Sequence, residues 1–363
     1  MLWYLLNIFI MFIAWSWPVS TMSNQSILTS KIEQIRRKRV CLVGTLNWII
    51  LSGLRNISVG ADTESYKIMF DVAKNKSWNN VIDEIYQKYI LGAGDKDPGF
   101  LVFEKIIQFI SNDFQIFLII IAIIFFVPMG ILIYKNSENV LISFILFSTL
   151  FYSFFAITGL RQTVATSIVV WGGIGLIKNK KLIPFIFLVI LSSTIHASAI
   201  CFLPFYWISK IKINRLTLIL YWIVIALVFA FRYQFLSVLQ ILVGYENYQY
   251  YEGASAGMFM YLLIAVAIFV TLFYENIISV NTEFQSISIN ALMMSCVFCP
   301  LLLINPSFMR VVQYYSIFLI FLLPNSQYVF KPGQSRQVFN ISICAIMILL
   351  LINNSPNYSF CFG

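Results

Sequence analysis

Polar residues along this chain come in short islands between long apolar stretches, and one stretch sets the reading of the others. Residues 140–177 run apolar for 38 positions, with Arg161 as the sole charged side chain. A bilayer crossing takes about 20 residues, so this stretch holds two crossings and Arg161 falls at their junction. A charge at bilayer depth costs between about 3 and 17 kcal/mol, depending on the reference. The turn of a helical hairpin is where Arg161 escapes that cost, on the side opposite the basic ends Lys135 and Lys178-Asn179-Lys180-Lys181.

The same alternation divides the rest. Residues 1–17 are apolar, with no basic leader and no small-residue cleavage site following, and read as a retained first span. The basic run Lys31, Arg36, Arg37, Lys38 and Arg39 marks the cytoplasmic side and fixes the parity downstream. Residues 55–113 form the longest polar segment, with seven Lys/Arg against nine Asp/Glu. Lacking an inward bias, it is placed outside, as a periplasmic loop. Within it, Ile82, Ile85, Tyr86 and Tyr89 recur at helical spacing. So do Phe100, Phe103, Ile106, Ile107 and Ile110, after the helix-starting Asp97-Pro98-Gly99. These predict two amphipathic helices on the membrane surface. Residues 182–209 lie between two basic clusters, the second being Lys210, Lys212 and Arg215. A single span would put that cluster outside, whereas two short spans of about 14 residues keep both clusters inside. Their apex falls at Ile195-His196-Ala197. Residues 232–257 make a second periplasmic loop, and the whole chain, 1–363, reads as one all-α polytopic membrane domain of 11–12 transmembrane helices.

Composition agrees. A chain with 60% hydrophobic and 11% charged residues is no soluble domain. The net charge of +9 is not a nucleic-acid signature, because 14 Lys/Arg against four acids lie in the loops assigned to the inside. The six cysteines nearly all sit in apolar stretches. Cys296-Val-Phe-Cys299 lies inside a span with no second pair beside it, and is not read as a metal or redox site.

On this topology Arg55, Asp62, Arg161, His196, Arg232 and Arg310 reach one face. Isolated arginines at one depth suit a lipid-linked phosphate or pyrophosphate, because the guanidinium stays charged and grips oxygens through a fork. Asp62, in the loop Val59-Gly60-Ala61-Asp62-Thr63-Glu64-Ser65-Tyr66, and the lone His196 are the candidate catalytic bases. Tyr248 and Gln162 are candidates to hold sugar, although the tyrosines around Tyr248 also fit an interfacial belt. Asp95-Lys96-Asp97 has the form of a nucleotide-sugar metal motif. It lies on the side where nucleotide sugars are absent, and is left out of the site.

At these residues the chain resembles the EpsG-type polysaccharide polymerases, relatives of the Wzy O-antigen polymerases. The resemblance is carried by Arg55, Gly60-Ala61-Asp62-Thr63 and Pro98-Gly99-Phe100. It continues through Gly159-Leu160-Arg161-Gln162, Ser193-Thr194-Ile195-His196-Ala197-Ser198-Ala199 and Arg310 to Tyr315. It implies glycosyl transfer in the bacterial inner membrane, at its periplasmic face. A growing chain on undecaprenyl pyrophosphate is passed to the terminal sugar of a lipid-linked repeat unit. The resemblance narrows the pyrophosphate-binding candidates to Arg161 and Arg310, with Arg55 as a third. It further implies membrane lipid, a flippase and a chain-length regulator as partners. The pyrophosphate leaving group is already activated, so no metal or other cofactor is expected. A lipid-linked oligosaccharide flippase and an O-antigen ligase are the rival readings.

Overall fold

A computed structural model describes residues 1–19, 25–93, 97–243, 257–279, 281–354 and 356–362. Among them every regular element is helical, apart from an isolated bridge between Arg55 and Phe360. Helix α1 (Leu2–Ser16) packs on α2 (Gln25–Gly53), where Asn47 Nδ2 donates to Asn7 Oδ1 over 3.0 Å. Three short helices follow in the long polar segment: α3 (Thr63–Asn75), α4 (Trp78–Tyr89) and α5 (Pro98–Gln108). Lys105 on α5 donates to the carbonyls of Ala73 and Lys76, and Gln108 to that of Phe70, which ties α5 to α3, while Trp78 at the start of α4 stacks on Phe109 just past α5. The expected apolar stripes are split. α5 buries Phe100 and Ile107 but exposes Ile106, Phe109 and Ile110, while α4 exposes Ile82, Tyr86 and Tyr89.

Helix α6 (Phe114–Asn136), capped by Asp113, runs back along α2. Helix α7 starts as Val140–Leu146 and continues through two π-helical stretches, Phe147–Phe151 and Ser153–Thr158; α8 (Leu160–Lys178) follows after Gly159. The 38-residue stretch is thus a hairpin with Arg161 in the first turn of its second helix. Helices α9 (Leu182–Ile195) and α10 (Ala197–Ile208) form a second one. The Phe185 and Tyr206 ring centroids lie 5.3 Å apart, whereas a continuous helix would separate them by about 32 Å. The chain reverses at His196, whose backbone is extended.

Helices α11 (Arg215–Ala230) and α12 (Arg232–Val243) meet at 89°. The expected loop at 232–257 therefore begins as a helix. Then come α13 (Met258–Ile278), α14 (Thr282–Phe298), α15 (Met309–Ser316), α16 (Leu319–Asn325) and α17 (Gln334–Asn354). Among the described residues, five helices are long and apolar enough to cross a bilayer, or seven if each of two bent pairs is one span. The remaining expected crossings fall on α1, α7, α9 and α10, which are apolar but only 10–17 residues long, and on α2, whose apolar half continues the basic run.

The islands expected on one side do gather at one end of the bundle. Arg37 donates to the carbonyls of Tyr134, Ser137 and Glu138, Tyr328 donates to Glu138, and Asn290 donates to the Ile211 carbonyl. The opposite end carries the α3–α5 segment and the turns at Gly159 and His196.

Candidate functional site

Three close backbone approaches build the site. Ser52 Oγ donates to the Ala156 carbonyl over 2.7 Å, pinning the end of α2 to α7. Gly60 has φ +99°, and a Cβ there would lie 2.7 Å from the Ile157 carbonyl oxygen. Only glycine permits both the conformation and the contact. Thr63 Oγ1 then donates to the Val59 carbonyl over 2.7 Å, so Gly60-Ala61-Asp62-Thr63 is folded against the end of α7 with Asp62 exposed. At Gly99 a Cβ would stand 2.2 Å from Thr194 Oγ1. That closeness brings the start of α5 to the end of α9 and sets Asp97 beside His196-Ala197. At the hairpin turn, the Gly159 N–H donates to the Phe154 carbonyl over 2.8 Å and Thr163 Oγ1 to the Phe155 carbonyl over 2.8 Å. Gln162 Nε2 donates to the Arg310 carbonyl over 2.6 Å, linking α8 to α15.

These contacts enclose a cavity of about 270 Å³ lined by Asp62, Asp97, Arg161, Gln162, His196 and Arg310. Asp97 joins three of its walls. Its Oδ1 accepts the Ala197 N–H over 3.0 Å, and its Oδ2 lies 3.4 Å from Arg161 Nη1 and 3.5 Å from His196 Nδ1. Burial pushes the Asp97 carboxyl up, but His196, the Ala197 N–H and Arg161 together outweigh it and hold the carboxyl below its ordinary range. Arg161 also donates to Met69 Sδ over 3.1 Å and lies 5.2 Å from the Phe100 ring centroid. Several buried polar atoms in the cavity have no hydrogen-bond partner among the described residues: Arg161 Nε, Gln162 Oε1 and both His196 ring nitrogens. Orphaned buried polar atoms are rare in folded proteins and call for an explanation. Here their side chains, those of Arg161, Gln162 and His196, line one cavity.

A model of the EpsG family matches residues 38–362. The chain belongs to the EpsG family. The EpsG family is one of Wzy-type polysaccharide polymerase-like membrane proteins, and its match spans every cavity residue named above. It points to a polysaccharide polymerase-like function and, in general terms, to a glycosyltransferase-like polymerase. No curated protein and no solved structure matches the chain.

Five sequence candidates, Asp62, Arg161, Gln162, His196 and Arg310, meet in this EpsG cavity. Arg55 does not line it: it is 0% exposed, its guanidinium donates to the Ser52 carbonyl, and residues 359–361 pair with the backbone around it. Arg232 is half-buried outside the cavity, donating to the Phe229 carbonyl and lying over the Tyr233 ring. Tyr248 lies outside the described residues. Asp97 was missed. Its motif was weighed as a metal triplet, yet the signal lay in the adjoining Pro98-Gly99, which fixes a helix start and a close contact at once. Among the described residues no group of three or more His, Cys, Asp or Glu is placed to hold a metal ion.

Proposed function

We propose that this EpsG-family protein is an O-antigen or exopolysaccharide polymerase. It joins oligosaccharide repeat units carried on undecaprenyl pyrophosphate, at the periplasmic face of the bacterial inner membrane. One observation carries the reading: Arg161 and Arg310 line one cavity with Asp62 and His196, and among the described residues Asp97 is the sole carboxylate ion-paired with either arginine. Two guanidiniums facing one cavity, only one of them ion-paired among the described residues, suit a doubly anionic leaving group.

In the reaction the acceptor sugar's hydroxyl oxygen attacks the anomeric carbon of the donor chain. The bond from that carbon to the pyrophosphate oxygen breaks, and its electron pair leaves with the lipid pyrophosphate. Arg161 and Arg310 stabilise the charge gathering there, an interaction stronger in the transition state than in the ground state. His196 takes the hydroxyl proton. Asp97, 3.5 Å from Nδ1, orients the ring and balances the imidazolium, which would otherwise form beside two cations. Asp62, exposed in the same cavity, orients a sugar hydroxyl.

The test is a gene deletion in a lipopolysaccharide-making host, complemented by wild type or variants, with the lipopolysaccharide resolved on a gel. Core plus a single repeat, with the ladder restored by wild type but not by His196→Ala at equal protein level, is the expected result. Bare core in the deletion strain would overturn the polymerase reading in favour of a flippase or ligase.

A further inference from the structure

Arg161, Asp97 and Met69 also line a second, larger cavity of about 530 Å³, on the other side of the Arg161–Asp97 pair. Its remaining walls come from α3 and α5, with the mutually paired Lys76 and Glu84 at one edge. Glu104 of α5 lines it too. That residue is 2% exposed, and its Oε1 has no hydrogen-bond partner among the described residues. A carboxyl so enclosed is far better off neutral than ionised, and burial does push it up, to about 8 against the pull of Arg161 and Lys76.

We infer that this second cavity is the acceptor-sugar subsite, with Glu104 as the group that reads a sugar hydroxyl there; this rests on the polymerase reading above. Three features favour an uncharged sugar over the other parts of the substrate. Among the described residues the cavity has no second free cation: Lys76 is paired with Glu84, and Lys105 is spent on the Ala73 and Lys76 carbonyls. A pyrophosphate is therefore better served next door, where Arg310 joins Arg161. A prenyl tail would fit the apolar walls of Ile68, Val72 and Leu101, but would leave Glu104 buried and still unpaired. A sugar offers an apolar ring face to Phe100 and hydroxyls to Glu104, and a neutral carboxyl both donates and accepts. The shared wall then puts donor and acceptor on either side of Asp97, whose carboxylate lies 3.5 Å from His196 Nδ1.

The experiment uses the full-length protein in detergent. Its probe is the free repeat-unit oligosaccharide, released by mild acid from lipid-linked units of a deletion strain and end-labelled. Lacking pyrophosphate, it reports the sugar subsite alone. Wild type binds it. Glu104→Leu weakens that binding by about tenfold or more, while Glu104→Gln, which keeps a neutral hydrogen-bonding group, stays within about threefold. Leu101→Trp, which fills the cavity from another wall, lowers binding without touching Glu104 and serves if Glu104→Leu fails to fold. Arg310→Ala retains oligosaccharide binding and loses affinity for the lipid-linked unit. Absence of binding to wild type, or equal binding by wild type, Glu104→Leu and Leu101→Trp, overturns the assignment. Intact polymerisation by Arg310→Ala would instead count against the pyrophosphate reading, so the two failures are separable.

Discussion

Two arginines stand at the same end of the bundle in opposite surroundings. Arg55 is fully buried, its guanidinium turned back onto the Ser52 carbonyl, and Tyr358 beside it donates to the Leu51 carbonyl over 2.9 Å. Arg161 keeps 20% of its side chain exposed and opens onto two cavities, with one carboxylate at 3.4 Å. Both residues follow an apolar stretch, and both gain by leaving bilayer depth. The difference is what the neighbouring backbone does: residues 359–361 close over Arg55, whereas Gly60 and Gly99 bring three elements close to Arg161 without filling the space between them. A lone arginine thus marks either a clasp or a site, and the local packing decides which.

The sharpest contrast is in activity. Arg161→Ala should lower polymer formation by about 10²–10³-fold, the loss typical when one preorganised donor to a developing anion is removed. Its melting temperature in detergent should stay near wild type, because no packed core is lost. Arg161→Lys restores charge but not the fork, so it should recover only part of the rate. Polymerisation at wild-type rate by Arg161→Ala would reduce this residue to a second Arg55. Asp97→Asn comes next, with a fall of about 100-fold in kcat as His196 loses its orienting partner. Because the same change frees Arg161 from its ion pair, KM for the lipid-linked unit should hold or drop. A raised KM with unchanged kcat would show that Asp97 serves binding alone.

Arg55→Ala inverts the pattern. It should destabilise the protein by about 2 kcal/mol or more, since it opens a void beside Tyr4 and Tyr358. Specific activity of the folded fraction should change less than about twofold. The measurements are a melting curve in detergent and a rate normalised to folded protein. An active-site loss without a melting shift would return Arg55 to the pyrophosphate.

Much of this end was legible from hydropathy and charge. The hairpin turn at Arg161 followed from span length, and the reversal at His196 from the two basic clusters that had to share a side. Sequence alone did not separate Arg55 from Arg161, because the residues that cover Arg55 lie some 300 positions away, and no local pattern encodes that bridge. Asp97 was hidden for a related reason. Its partners His196 and Ala197 are brought to it only through the close contact of Gly99 with Thr194. The second cavity was also out of reach: Glu104 reads as an ordinary polar position of an amphipathic helix until α3 is laid beside it.

Glu104 gives the most diagnostic effect, because it combines the burial of Arg55 with the cavity setting of Arg161. Its carboxyl is raised from 4.5 to about 8, chiefly by burial, with Arg161 and Lys76 pulling the other way. The folded protein therefore holds a proton that the unfolded chain releases anywhere between those values, so stability falls as pH rises through that window and levels off above about 8. The other charged groups facing the cavity are Asp97 and the Lys76–Glu84 pair, and all of them are kept in Glu104→Gln. That variant has no proton to lose at this position. It should melt near wild type at pH 5 and several degrees above it at pH 8, about what a few kcal/mol produces in a chain of this size. A constant offset at both pH values would mean that Glu104 is ionised throughout, with a partner that makes its cavity unsuited to a neutral sugar.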